Sequence, residues 1–158
     1  RNWQLSRENG LLRGAYHYFS PSVSASVQAR LFLQTVDFSQ GDFPAVLDVE
    51  GEKIIGKRIT QAGKSVAKNG RKTYGKKADI YSGAVFYHTN LAGYFNEYPW
   101  WVAHYYQRRP DNDGMAWRFW QHSDRGQVDG INGPVDFNVF NGTEEELQGF
   151  VDGIKETP

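Results

Sequence analysis

The sequence contains no cysteine. That excludes a disulfide framework, a thiolate nucleophile and a thiolate metal site, but leaves the compartment open, because extracellular bacterial enzymes can also lack cysteine. Nor is there an excess of charge of either sign: Lys+Arg and Asp+Glu both total 18. A balanced chain has no long-range field to draw in nucleic acid or an anionic membrane, so neither nucleic-acid binding nor membrane insertion is expected. No apolar run approaches the ~18 residues of a membrane span, and the first residues do not read as a signal peptide. His17, His88, His104 and His122 show no paired ligand spacing, so no metal is expected. Glycine-rich phosphate-binding patterns are also missing, and no cofactor is expected.

The chain is 158 residues long and 15% aromatic. The length corresponds to one domain, read here as a single catalytic unit over residues 1–158. Aromatic rings supply core volume, and their faces also pack against the apolar C–H face of a sugar ring.

Apolar periodicity divides the chain into alternating elements. Residues 1–9 read as the remainder of a helix stopped by Glu8-Asn9-Gly10, and residues 12–19 as a strand. Ser20-Pro21-Ser22 then opens a helix with two apolar stripes: Val23, Val27 and Leu31 on one, Ala25, Ala29, Phe32 and Val36 on the other. Further strands are predicted at 45–49, 78–82, 100–105, 119–122 and 135–139. Helices are predicted at 57–72, with Ile59, Ala62 and Val66 on one side, and at 84–91. Thr143-Glu144-Glu145-Glu146 is a capping box for a last helix with Leu147, Phe150, Val151 and Ile154 as its buried stripe. Strands alternating with helices predict a parallel α/β sheet or barrel, whose chemistry gathers at the carboxyl ends of the strands.

Asp48 and Glu50 fall at such an end. Side chains alternate along a strand, so the two carboxyls project to the same side with Val49 opposed. A glycosidase needs two acids placed this way, one to protonate the leaving oxygen and one to stabilise or attack the sugar cation. An isolated Asp-x-Glu also ends strands or caps helices without any chemistry, so the neighbouring motifs carry weight.

Those motifs run in order: Gly14-Ala15-Tyr16-His17-Tyr18-Phe19, Pro44-Ala45-Val46-Leu47-Asp48-Val49-Glu50, Ile80-Tyr81-Ser82, Tyr98-Pro99-Trp100-Trp101-Val102-Ala103-His104-Tyr105, Trp120-Gln121-His122-Ser123 and Val135-Asp136-Phe137-Asn138-Val139-Phe140-Asn141-Gly142. Their order resembles glycoside hydrolase family 25, the lysozymes that cleave bacterial peptidoglycan. The resemblance implies an irregular (β/α) TIM-like barrel with few outer helices, here N-terminally incomplete because no Gly-x-Asp opening strand is present. It also implies hydrolysis of the β-1,4 bond between N-acetylmuramic acid and N-acetylglucosamine with retention. Glu50 corresponds to the proton donor. Asp48 corresponds to its partner, either orienting the substrate's N-acetyl group and steadying the sugar cation or acting as nucleophile, and Asp136 to a further acid of the floor. Tyr16, His17, Tyr81, Trp101, His104, Tyr105 and Gln121 are expected to line the sugar groove. The donor must still hold its proton when substrate arrives, so Glu50 is expected to be pushed up by burial and by Asp48, with Asp48 ionised. The implied partner is the peptidoglycan glycan strand, met outside the cell, at the envelope or through a phage. Exposed barrel edges would favour a dimer. A non-catalytic glycan-binding remnant and a chitinase-like hydrolase are the competing readings.

Overall fold

The computed structural model describes residues 1–51, 77–111, 114 and 116–155, without the side chains of Ile154 and Lys155. The helix predicted at 57–72 and the end of the last helix's apolar stripe, Ile154, lie outside this description. The order of elements is α1 (Asn2–Glu8), β1 (Tyr16–Tyr18), α2 (Ala25–Thr35), β2 (Val46–Asp48), β3 (Asp79–Gly83) and α3 (Ala84–Phe86). A π-helical turn (Tyr87–Leu91), β4 (Trp100–Ala103), β5 (Trp117–Gly126), β6 (Val135–Phe140) and α4 (Glu144–Lys155) follow. None of the described helices is long and apolar enough to cross a membrane.

The six strands form one sheet in chain order, each paired with its sequence neighbour. β1 to β5 are parallel, as the alternation with helices predicts, whereas β5 and β6 pair antiparallel. This departs from the wholly parallel expectation, and the cause is local. Residues 127–134 are too few to cross back over the sheet, so the chain can only return as a hairpin. β5 consequently runs from Trp117 to Gly126, well past the predicted 119–122, because the hairpin gives its second half a partner.

Period-two alternation sorts the strands into two faces. Leu47, Val49, Ile80, Trp100 and Val102 are essentially fully buried and pack in one cluster with Ala29 and Phe32 of α2 and Tyr87 and Leu91 of the π-helical turn. Of the two apolar stripes on α2, the one with Ala29 and Phe32 is therefore the core stripe, while Val23, Val27 and Leu31 are exposed. The predicted 84–91 helix is present but widens midway, with Ala92 N–H reaching back to the Tyr87 carbonyl at 2.9 Å. The capping box of α4 forms as read: Glu146 N–H donates to Thr143 Oγ1 at 3.2 Å and Thr143 N–H donates to Glu146 Oε2 at 2.7 Å.

At the amino end of the sheet a buried ion pair joins Asp79 of β3 to Arg118 of β5, and the guanidinium lies 4.2 Å over the Phe150 ring of α4. Arg13, also buried, sits 4.4 Å over the Trp3 ring and donates to the Trp3 carbonyl at 2.7 Å. These contacts close the base and leave the opposite end of the sheet for the acids.

Candidate active site

β2 places the acids. Its neighbours hold the backbone on both sides: Phe19 N–H donates to the Asp48 carbonyl at 2.8 Å, and Val49 N–H donates to the Tyr81 carbonyl at 2.9 Å. Where the ladder stops, the buried Ser82 hydroxyl donates to the Val49 carbonyl at 2.8 Å. Gly51 follows at φ 116°, a left-handed conformation that favours glycine and turns the chain away directly after Glu50. The strand end is thus fixed at the Cα atoms that carry both carboxyls.

Asp48 and Glu50 face a cleft of about 460 Å³ lined also by Tyr16, Val46, Tyr81, Trp101, Tyr105, Gln121, Asp136 and Asn138. One wall is aromatic: Trp101 meets Tyr81 edge-on at 6.4 Å and tilts over Phe119 at 4.7 Å. Its indole N–H donates to Asn138 Oδ1 at 2.8 Å, which fixes the ring plane. Gln121 Oε1 accepts two phenols, Tyr81 Oη at 2.6 Å and Tyr105 Oη at 2.8 Å. Tyr106 takes a left-handed φ of 58°, and its N–H bonds the His122 carbonyl at 2.9 Å. The chain turns there, just beyond Tyr105. Flat aromatic faces beside paired carboxyls can hold a saccharide and supply both an acid and a base.

Residues 1–131 match the family model described as Glycosyl hydrolases family 25. This chain belongs to glycosyl hydrolase family 25. It is 84% identical over 163 residues to YegX of Escherichia coli K12, covering 100% of this chain and 58% of YegX. It is 31% identical over 163 residues to Lysozyme M1 of Streptomyces globisporus, covering 92% of this chain and 55% of that protein. The chain therefore spans little more than half the length of these relatives. A family 25 glycosyl hydrolase structure from Bacillus anthracis superposes with a TM-score of 0.84 at 28% identity, over 95% of this chain and 73% of that one. The curled sheet accordingly belongs to the distorted TIM-like fold of family 25.

Eight of the ten site residues expected from sequence line this family 25 cleft: Asp48, Glu50, Asp136, Tyr16, Tyr81, Trp101, Tyr105 and Gln121. Two do not. His17 points to the other face of β1, where its Nε2 lies 3.0 Å from Gln28 Oε1 and its ring 5.6 Å from Phe32 of α2. His104 anchors its own loop, with Nδ1 accepting from Asp111 N–H at 3.1 Å and the carbonyl accepting from Trp120 Nε1 at 2.8 Å. Both alternate out of the cleft beside residues that alternate in. Asn138 is the functional candidate that the motif reading overlooked. It stands two positions beyond Asp136 on the same strand, so period-two spacing alone would have pointed to it.

The electrostatics of the pair differ from the expectation. Asp48, not Glu50, is the carboxyl that the fold encloses: it is 8% exposed, whereas Glu50 is half-buried. Burial first, and the charge of Glu50 second, push the Asp48 carboxyl up to about 7. Its Oδ1 is buried without a hydrogen-bond partner among the described residues. The Tyr81 phenol is also pushed well up, chiefly by burial, then by its bond with Tyr105 and the charges of Glu50 and Asp48.

Proposed function

We propose that this chain carries the catalytic machinery of a muramidase, which hydrolyses the β-1,4 bond from N-acetylmuramic acid to N-acetylglucosamine in peptidoglycan with retention at the anomeric carbon. The observation that carries the reading is the joint placement of Asp48 and Glu50 in one aromatic-walled cleft. Membership of family 25 and the 31% identity to Lysozyme M1 support it.

In the resting cleft burial keeps a proton on the enclosed Asp48. A bound N-acetyl sugar brings an amide N–H, and Asp48 Oδ1, buried without a donor among the described residues, is the acceptor for it. That hydrogen bond favours the ionised form of Asp48 and passes the proton to Glu50. Glu50 then protonates the glycosidic oxygen, the bond from C1 to that oxygen breaks, and the acetamide oxygen of the same sugar closes on C1. Water opens this ring from the vacated side and gives a proton back to Glu50, so two inversions leave the configuration retained. Asp136, exposed on the far wall, offers negative charge to the developing sugar cation. Tyr16, Tyr81, Trp101 and Tyr105 receive the sugar faces. The substrate places the site of action at the bacterial cell wall.

Incubation with purified peptidoglycan, followed by analysis of the new reducing ends, tests this reading. Muropeptides ending in muramic acid are expected. Chitobiose released from chitin oligomers instead would identify a chitinase-like enzyme, and binding without products a glycan-binding module. Glu50→Gln should lower the release rate by about 10²–10⁴-fold and retain binding; turnover at the parental rate would remove Glu50 from the acid role.

A further inference from the structure

Gln121 lines the cleft, but its side-chain oxygen is already occupied by the protein. It is 6% exposed, and Oε1 takes the hydrogens of both Tyr81 and Tyr105. Tyr81 is the direct cross-strand partner of Asp48 and lines the same cleft, so its phenol is a hydrogen-bond donor on the face that carries that carboxyl. It donates to Gln121, two strands away, and Asp48 Oδ1 is left buried and without a donor among the described residues. The engaged phenol accounts for the unpartnered oxygen: an orphaned acceptor costs free energy that a free hydroxyl on the same face could relieve.

We propose that Gln121 is a positioning residue that holds the Tyr81 and Tyr105 hydroxyls away from Asp48 and so reserves the Asp48 carboxyl for a donor supplied by the ligand. Among the described residues, the other titratable groups facing Asp48 are Glu50 on its own strand and Tyr81 on β3, with Tyr105 beyond β4 and Asp136 on β6 in the same cleft. Of these, Tyr81 is the cross-strand neighbour with a hydrogen to give. The catalytic consequence rests on the muramidase reading, because a reserved acceptor matters only where an acetamide N–H arrives. The arrangement itself does not depend on turnover.

Carbon-13 NMR titration of the aspartate carboxyls, with Asp48 assigned through Asp48→Asn, reads the outcome whether or not the chain hydrolyses anything. Gln121→Met keeps the volume and removes the acceptor. Freed, the Tyr81 phenol should donate to Asp48 and lower its titration midpoint by about one pH unit. Tyr81→Phe in the parental background should leave that midpoint in place. The double variant Gln121→Met/Tyr81→Phe should return it to the parental value. An unchanged midpoint in Gln121→Met, or a drop that persists in the double variant, overturns the assignment. If Gln121→Met does not fold, Tyr81→Phe decides alone: a clear rise would show that Tyr81 already bonds Asp48 in the parent, and an unmoved midpoint supports the proposal. Absence of muramidase activity from the parental chain, with the titrations behaving as stated, would count against the proposed function and leave the role of Gln121 standing.

Discussion

Replacing Asp48 with asparagine should relieve the fold of a pH-dependent cost. The native Asp48 carboxyl keeps its proton up to about 7, against an ordinary value of 3.8. Between those limits the native chain binds a proton that the unfolded chain has released, so stability is greatest at the acid end, falls as pH rises through the window, and levels off above it. About three pH units at ~1.4 kcal/mol each give an upper bound of about 4 kcal/mol. The carboxyl faces a cleft open to water, so solvent screening holds the realised effect below this bound. Asparagine has nearly the same shape and cannot ionise, so any constant offset from its amide cancels when the two proteins are compared across pH. Urea unfolding followed by tryptophan fluorescence at about pH 4, 6 and 8 makes that comparison. The variant's advantage over the parent should grow steadily with pH, by up to about 4 kcal/mol. Stability curves that stay parallel, or an advantage that shrinks towards alkaline pH, would show that the carboxyl titrates normally and would remove the basis for a proton held on Asp48 in the resting cleft.

Ser82→Ala strands the buried Val49 carbonyl beside the acids; unfolding should be easier by about 1–3 kcal/mol in the same urea assay. Trp101→Phe keeps an aromatic wall but loses the 2.8 Å bond to Asn138 that fixes the indole plane. KM for peptidoglycan fragments should rise about 5- to 10-fold, the equivalent of ~1–1.4 kcal/mol, with kcat much less affected. A change confined to kcat would move Trp101 from sugar binding into the chemical step.

Much of this arrangement was legible because period-two alternation is a strict constraint. Once Val46, Leu47, Asp48 and Val49 are read as a strand, Asp48 must share a face with Val46, and Leu47 and Val49 must face the helices. The same rule places Tyr81, Trp101, Tyr105 and Gln121 inward. It also turns His17 and His104 outward, and both were assigned to the groove only because their motifs lie at strand ends. Asn138 was overlooked although its spacing from Asp136 is the same as that between Asp48 and Glu50. Other features depend on facts absent from local sequence. Which stripe of α2 is buried depends on where the sheet lies, since Val23, Val27 and Leu31 are as apolar as the stripe that packs. The proton was expected on Glu50 because chemistry needs it there, but burial is a tertiary quantity, and it falls on Asp48.

The antiparallel return of β6 has a practical consequence. Gly126 pairs with Val135 at the end of the sheet where β2 presents its acids, so the connecting arm 127–134 leaves the sheet at that end, and its residues are solvent-exposed. Such an arm is a natural grafting point: a foreign recognition peptide spliced there would stand at the acid-bearing end of the sheet without disturbing the packed layers beneath. Wall-targeting variants could thus be built by exchanging one ribbon.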